Sequence, residues 1–257
     1  MIPVIVWGGT QTGANSFKEH LRKFSGETKH HRDRVAKEII PLLTKEISND
    51  GKPIADRLKN DQWPMKYIFK YLPLDSYNTF MKNQLITRIH HGDFLNRTEL
   101  LNIALKANKY NYNHVFLYRE SLFDQALGWF YEDCGDTYEK NLPDASTFSK
   151  KIFGFRIDLN YTYEFLKTKV NLIPLSYESL YLRREKDKVK DILNSMGFKL
   201  SVDNIDTFIY NRYKHIKQGN KFKLDETTGP VSESEKYKHL GNFNMLQDYF
   251  GNERIEL

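Results

Sequence analysis

The sequence predicts an α/β fold in which a central, mainly parallel β-sheet is flanked by helices. The chain opens with an apolar, β-branched run that ends at Gly8-Gly9. Three more apolar runs follow, and helical patterns separate them. Strands that alternate with helices need crossover connections, and these join parallel strands. The length of 257 residues suits one α/β domain, so we expect a single domain over 1–257.

Each predicted element rests on its residue pattern. Short runs rich in Val, Ile and Leu are typical of buried strands, whereas apolar residues three or four positions apart indicate a helix. The predicted strands are 2–7, 84–90, 114–118 and 171–176. The predicted helices are 16–24, with Phe17, Leu21 and Phe24 on one face, 121–131, and about 185–196, which Gly197 ends.

The remaining segments are assigned by composition. Segments 25–83 and 132–168 are mostly helical or irregular, and we expect them to form the acceptor side of any site. Aromatic residues within the first suggest stacking on a sugar or an aromatic ring, namely Trp63, Tyr67, Phe69 and Tyr71. The tail 214–257 is polar and rich in Gly and Lys, which suggests a mobile flap.

The charge balance favours an anionic partner only mildly. The formal net charge is +6, and basic residues are scattered among acidic ones. A small anionic cofactor therefore fits at least as well as nucleic acid, and a solvated surface explains the charge equally well. Because no stripe of basic and aromatic residues is evident, a nucleic-acid-binding module is the least favoured hypothesis.

The single cysteine and the absence of long apolar runs predict a cytoplasmic protein. Cys134 has no second cysteine to pair with, and the neighbouring acids raise a thiol pKa, which argues against a nucleophile. No run approaches the roughly 18 apolar residues of a membrane span. The N-terminus lacks the basic start and cleavage site of a signal peptide. The sequence does not indicate an oligomeric state.

A glycine-rich loop, residues 8–15, follows the first strand and is called the glycine loop below. It has the two glycines of a Walker A loop at the right spacing, but Ala14 and Asn15 stand where Lys and Ser or Thr are expected. That Lys normally meets the terminal phosphates, and the hydroxyl normally holds magnesium. Backbone N–H groups at a helix start still suit an anion, so the loop predicts phosphate binding without NTPase chemistry. An ordinary glycine-rich turn is the alternative.

Four segments, in order along the chain, resemble the 3′-phosphoadenosine-5′-phosphosulfate (PAPS)-dependent sulfotransferases. Residues 10–17 are similar to the family's 5′-phosphosulfate loop, and 87–90 are similar to a strand end that carries Lys-x-His. Residues 115–119, with the helix 123–130, resemble the 3′-phosphate motif, a strand ending in Arg and a helix with a Ser. Residues 174–180 resemble a Tyr-Glu-Asp-Leu segment, which precedes a helix that ends here at 193–197.

The resemblance implies a three-layer P-loop fold and a sulfotransferase that uses PAPS as co-substrate and a small-molecule or carbohydrate acceptor. His90 would be the general base. Arg119 would bind the 3′-phosphate, with Gly128 in the place of the Ser. The implied cofactor-binding residues of the loop are Thr10, Gln11, Thr12, Gly13, Ala14, Asn15 and Ser16.

Residue chemistry adds two further catalytic candidates. Arg88 lies two positions from His90 on a strand, so both side chains point to one face, where Arg88 would steady the sulfuryl oxygens or the leaving phosphate. Gln11 would donate a hydrogen bond to that phosphate without charge. Tyr177 and Glu178 are expected to hold structure at a strand end.

Several alternatives stay open. His90 would otherwise be a structural histidine, with His91 facing the opposite side, and Arg119 would be a surface residue that pairs with Glu120 or Asp124.

At the level of function, the alternatives are a nucleotide-binding relative without turnover and a P-loop kinase or phosphotransferase. Gln11 and Gly128, together with Lys217-Gln218-Gly219 as a loose counterpart of the family's Arg-Lys-Gly, depart from the family pattern. We expect no metal, because the adjacent His30 and His31 lack the spacing of a helical metal site.

Overall fold

The computed structural model describes residues 2–25, 86–90, 97–133, 141–210 and 232–257. A four-stranded sheet lies at its centre. The strands are β1 (Val4–Gly8), β2 (Ile86–His90), β3 (Asn113–Tyr118) and β4 (Leu172–Ser176). Their order across the sheet is β2-β1-β3-β4, and every neighbouring pair is parallel. All four predicted strands are confirmed, with ends shifted by at most two residues.

Helices connect and flank the strands. They are α1 (Ala14–Phe24), α2 (Arg97–Lys109), α3 (Leu122–Gly128), α4 (Ala145–Lys167), α5 (Lys186–Ser195), α6 (Val202–Ile205), α7 (Glu233–Tyr237) and α8 (Phe243–Phe250). Turns of π-helix follow α3 at Trp129–Asp133, β4 at Glu178–Leu182 and α6 at Asp206–Tyr210.

Local signals explain where the helices begin and end. The Ser121 side chain accepts a hydrogen bond from the Asp124 N–H at 3.1 Å, and Asp144 accepts from the Thr147 N–H at 2.9 Å. Each caps the first turn of α3 or α4 by satisfying an amide that lacks an intrahelical acceptor. Gly197, two residues after α5, has a φ of +97°, a conformation that glycine tolerates best.

Strand side chains alternate between two apolar cores. Ile5 and Trp7 point to the side covered by α2, α3 and α4, whereas Val4 and Val6 point to the side covered by α1 and α5. All four of these side chains are fully buried. Apolar side chains on both faces of a sheet must be covered on both sides, and helices cover each side here. The three-layer α/β fold is therefore confirmed.

The C-terminal segment 232–257 packs against the fold. Tyr237, Leu240, Phe243 and Leu246 are buried in the same core as Trp7. The sequence predicted a mobile tail over 214–257; within that range 232–257 forms the helices α7 and α8 and packs on the core, while 214–231 lies outside the described residues. The buried apolar residues of this segment recur every three positions, and polar residues lie between them. The average composition of the segment is therefore polar although one of its sides is apolar.

Two other predicted segments are only partly described. Of the presumed acceptor side, residues 26–83 and 134–140 lie outside the described residues, while most of 141–168 is the single helix α4. Lys217-Gln218-Gly219 and Cys134 also lie outside them. Among the helices that the structure describes, none has the length and apolar character needed to cross a membrane.

A buried histidine joins β1 to β3. The Trp7 indole Nε1–H donates a hydrogen bond to Nδ1 of His114 at 3.0 Å, and the two rings stack. Because Nδ1 accepts this bond, the imidazole is neutral. Burial lowers the pKa of His114 to about 4, and burial together with nearby Lys23 lowers the pKa of His20 to about 4.

We predict that acid destabilises the protein through these two histidines. Their folded pKa values of about 4 lie below the unfolded value of 6.5, so the unfolded state binds protons first as the pH falls. The free energy of unfolding should therefore drop between pH 6.5 and pH 4, by on the order of 3 kcal/mol for each histidine. Urea denaturation at several pH values measures this. His114→Asn should reduce the dependence of the unfolding free energy on pH. The same change at exposed His239 is the control and should leave that dependence as in the wild type. Equal pH dependence in all three proteins would contradict the prediction.

Candidate functional site

The glycine loop joins β1 to α1 at the carboxyl edge of the sheet. Gln11 and Gly13 adopt left-handed backbone conformations, with φ of +58° and +73°, and the Thr12 hydroxyl donates to the Gly9 carbonyl at 2.9 Å. Gly13 is the N-cap of α1 and has no side chain that could accept a hydrogen bond from the first turn. The first N–H groups of α1 have no intrahelical acceptor. Such amides at a helix N-terminus can bind an anion.

Packing explains both glycines of the loop pattern. A Cβ on Gly13 would lie 2.8 Å from Cδ2 of Tyr177 and 3.1 Å from Cε2 of Tyr181. A Cβ on Gly8 would lie 2.5 Å from Cβ of Ala14. The backbone thus passes close to two tyrosine rings and to the first turn of α1, and only glycine fits at these two positions.

Arg88 brings a positive charge to the rim of the loop. Its Nη1 donates to Oδ1 of Asn15 at 3.1 Å, and its Nη2 donates to the Gly9 carbonyl at 3.5 Å. The guanidinium therefore lies beside both ends of the loop and next to the uncapped start of α1. The backbone of His90 is the register partner of Gly8, so the end of β2 adjoins the beginning of the loop. The His90 side chain and His91 lie outside the described residues.

Arg119 contacts the glycine loop and is 1% exposed. Its Nη1 donates to the Gln11 carbonyl at 3.3 Å, and its guanidinium lies 4.2 Å from the centre of the Tyr177 ring. Its ion-pair partners are Glu178 at 3.5 Å and Glu233 at 3.6 Å, rather than Glu120 or Asp124 as the alternative hypothesis had it. The proximity of Arg119 to the glycine loop agrees with the sequence prediction, but its burial between two carboxylates was not foreseen.

The carboxylates around Arg119 keep it charged. Burial acts to lower the pKa of Arg119, but Glu233, Tyr177 and Glu178 outweigh burial and raise the pKa above its ordinary value. Glu233 is also shared with Lys236, at 2.9 Å. A phosphate that reached Arg119 in this arrangement would have to replace one of its carboxylate partners.

Glu178 has the structural role that its position predicted. Its carboxylate accepts hydrogen bonds from the backbone N–H groups of Glu120 at 2.9 Å and Ser121 at 3.3 Å, in addition to contacting Arg119. These contacts fasten the π-helical turn after β4 to the chain that leaves β3. The end of β3, which positions Arg119, is therefore held from two sides.

Gln11 and Gly128, two of the departures from the family pattern, are in contact. A Cβ on Gly128 would lie 3.2 Å from Oε1 and 3.4 Å from Cδ of Gln11. The Gln11 side chain thus lies against the backbone at the end of α3. A serine at position 128 would require this side chain to shift. That Gln11 or Gly128 contacts a ligand stays a prediction.

Sequence reasoning missed three residues of this site. Gln125 Nε2 donates to the Thr10 carbonyl at 2.8 Å, and Asp124 accepts from the Ser234 N–H at 2.9 Å and from its hydroxyl. Both lie at the start of the helix after β3, and ligands bind near such helix starts in α/β folds, which is the signal that could have found them. Glu233 comes from the C-terminal segment and gave no such signal.

Neither a metal site among the described residues nor a known relative identifies what the site binds. The part of the chain that the structure describes holds no group of three or more His, Cys, Asp or Glu residues that could bind a metal ion, and His30 and His31 lie outside it. No protein-family model matches the chain, and searches of curated proteins and of solved structures also return no match.

We predict that Gly13→Ala disrupts the loop. A left-handed backbone costs a residue with a Cβ about 1–2 kcal/mol, and displacement of the Tyr177 ring adds a packing cost. The free energy of unfolding from urea titration should fall by about 2 kcal/mol or more. Ser16→Ala, in the first turn of α1, is the matched control and should change it by less than about 0.5 kcal/mol. Equal stability of the two variants would show that the loop does not need glycine at position 13.

Proposed function

We propose that this protein is a sulfotransferase that binds PAPS at the glycine loop and passes the sulfuryl group to a hydroxyl or amine acceptor. The observation that carries the proposal is the uncapped start of α1, with Arg88 beside it at the carboxyl edge of a parallel sheet. Ligands of open α/β folds bind at this edge. The four segments that resemble sulfotransferases support the choice of PAPS over other phosphorylated nucleotides.

The proposed reaction is an in-line displacement at sulfur. The acceptor oxygen or nitrogen forms a bond to sulfur while the bond from sulfur to the bridging phosphate oxygen breaks, and adenosine 3′,5′-bisphosphate leaves. Negative charge grows on the leaving phosphate, so fixed donors aimed at that phosphate lower the barrier. The N–H groups of the loop and the Arg88 guanidinium are such donors. His90 takes the acceptor's proton as general base.

The 3′-phosphate is proposed to approach Arg119 from the side of the C-terminal segment. Glu233 now occupies Nη1 of Arg119, while Nη2 has no hydrogen-bond partner among the described residues. A phosphate offers two or more oxygens to a guanidinium and can replace a carboxylate there, since both anions fit the same planar donor pair. Binding would then release Glu233 to its other partner, Lys236.

A second candidate is a nucleotide-binding protein without turnover. The observation that favours it is the contact between Gln11 and Gly128, because the loop position that is basic in the family carries here a neutral side chain packed on α3. A neutral donor is roughly half as strong as a charged one. A kinase is less supported, because Ala14, at the position of the Walker A lysine, is apolar and buried.

Nucleotide binding tests the site. Isothermal titration with adenosine 3′,5′-bisphosphate should show binding that needs no magnesium and exceeds the affinity for ATP. Arg88→Ala removes charged hydrogen bonds worth about 1.5–3 kcal/mol, so it should weaken binding about 10- to 100-fold. Lys23→Ala, at the far end of α1, removes the same charge and should change affinity less than about twofold. Binding only of magnesium-ATP, or equal losses in both variants, would refute the proposed site.

Turnover separates the two candidates. With sulfur-labelled PAPS and a panel of phenols, sugars and amines, the wild type should release labelled product. His90→Ala should lower the transfer rate by about 10²–10⁴-fold without weakening nucleotide binding, whereas His91→Ala, the neighbouring control, should retain most activity. Selective binding of the bisphosphate nucleotide without transfer to any acceptor would favour the second candidate instead.

A further inference from the structure

Helix α4 has an apolar side chain stripe on the face opposite the core. Its core face carries Phe148, Ile152, Phe155, Leu159 and Leu166, all buried. On the other face, Phe153 is 63% exposed, Ile157 is 50% exposed and Tyr161 is 39% exposed. Their spacing of four residues places them in one row along the helix. Large apolar side chains in a contiguous row mark an interaction surface more often than single exposed ones do.

The row has room for a close partner. Gly154 lies between Phe153 and Ile157 on this face, and a Cβ built on it would meet no atom within 4 Å. A second helix can approach most closely where a residue has no side chain. The exposed rings of Phe153 and Tyr161 would then flank that approach on both sides of Ile157.

Charges at the two ends of the row identify the partner. Lys150 lies seven residues before Ile157, and Glu164 lies seven residues after it. Seven residues are about two helical turns, so all three side chains lie on the same face, with the two charges about 10 Å from the centre. Within the described ranges Lys150 has no ion-pair partner, and Glu164 forms an ion pair with the exposed Lys167, one turn further along, at 2.6 Å.

We propose that the α4 stripe (Lys150, Phe153, Gly154, Ile157, Tyr161 and Glu164) binds the same stripe of a second copy of this chain. In an antiparallel pair with its twofold axis at Ile157, Lys150 of each copy lies opposite Glu164 of the other, and Phe153 lies opposite Tyr161. A parallel pair would place like charges together, so the charges specify the antiparallel arrangement. A twofold interface of this kind is self-complementary, as closed dimers require.

The size of the stripe predicts a weak dimer. From Lys150 to Glu164 the helix extends about 21 Å. A single helix pair of this length lies at the low end of specific interfaces, which are usually transient. The dissociation constant should therefore lie in the micromolar range or above, and it should rise with salt because the end pairs are exposed.

Sedimentation velocity of the full chain over a wide concentration range tests the proposal. The wild type should shift from monomer to dimer as concentration rises. Ile157→Asp should raise the dissociation constant at least tenfold, since it places two carboxylates at the centre of the interface. Leu105→Asp is the matched control, because Leu105 is 47% exposed on α2, and it should dimerise like the wild type. Thermal melts check that both variants are folded.

A charge exchange gives the sharper readout. Lys150→Glu and Glu164→Lys should each weaken the dimer about 3- to 30-fold, because each change converts two attractive pairs into repulsive ones. The double variant restores both pairs with reversed sign and should dimerise within about twofold of the wild type. A monomeric wild type at every concentration would overturn the proposal. A double variant weaker than either single one, or an Ile157→Asp protein with the dissociation constant of the wild type, would also overturn it.

Discussion

The buried guanidinium of Arg119 is the interaction on which the site depends. It joins the end of β3, the π-helical turn after β4, the glycine loop and the C-terminal segment through Glu178, the Gln11 carbonyl and Glu233. A buried charge is tolerated only when it is paired, and removal of one partner from such a pair typically costs about 3–5 kcal/mol. Four segments that are distant in sequence are therefore joined through a single side chain, which also contacts the backbone of the glycine loop.

The glycines of the loop are required by packing and would equally suit the proposed anion binding. Gly13 is required by its left-handed φ and by the Tyr177 ring, whether or not an anion is bound. A glycine pattern in a sequence is thus explained by packing first, and the anion site proposed for this loop would use a backbone geometry that packing already requires.

Sequence patterns predicted the sheet because each strand can be recognised from its own few residues. Apolar runs of β-branched residues identify strands, and their alternation with helices implies parallel order. The packing of 232–257 and the position of Glu233 depend on contacts between residues more than a hundred positions apart, which no local pattern records. The contact between Gln11 and Gly128 is of the same kind: each was noted as a separate departure from the family pattern, and only the fold shows that one side chain fills the space that the other leaves.

The two arginines of the site differ in what a ligand must overcome to reach them. Arg88 lies at the rim of the loop, where its guanidinium donates to an exposed asparagine and to a backbone carbonyl. Arg119 is buried and paired with two carboxylates, and the neighbour of one of them, Ser234 beside Glu233, is bonded to Asp124 at the start of α3. A 3′-phosphate bound as proposed would therefore compete with the segment around Glu233 for one guanidinium. Coupling of this kind is reciprocal, so whatever stabilises the docked C-terminal segment would weaken the proposed binding of a 3′-phosphate by the same factor.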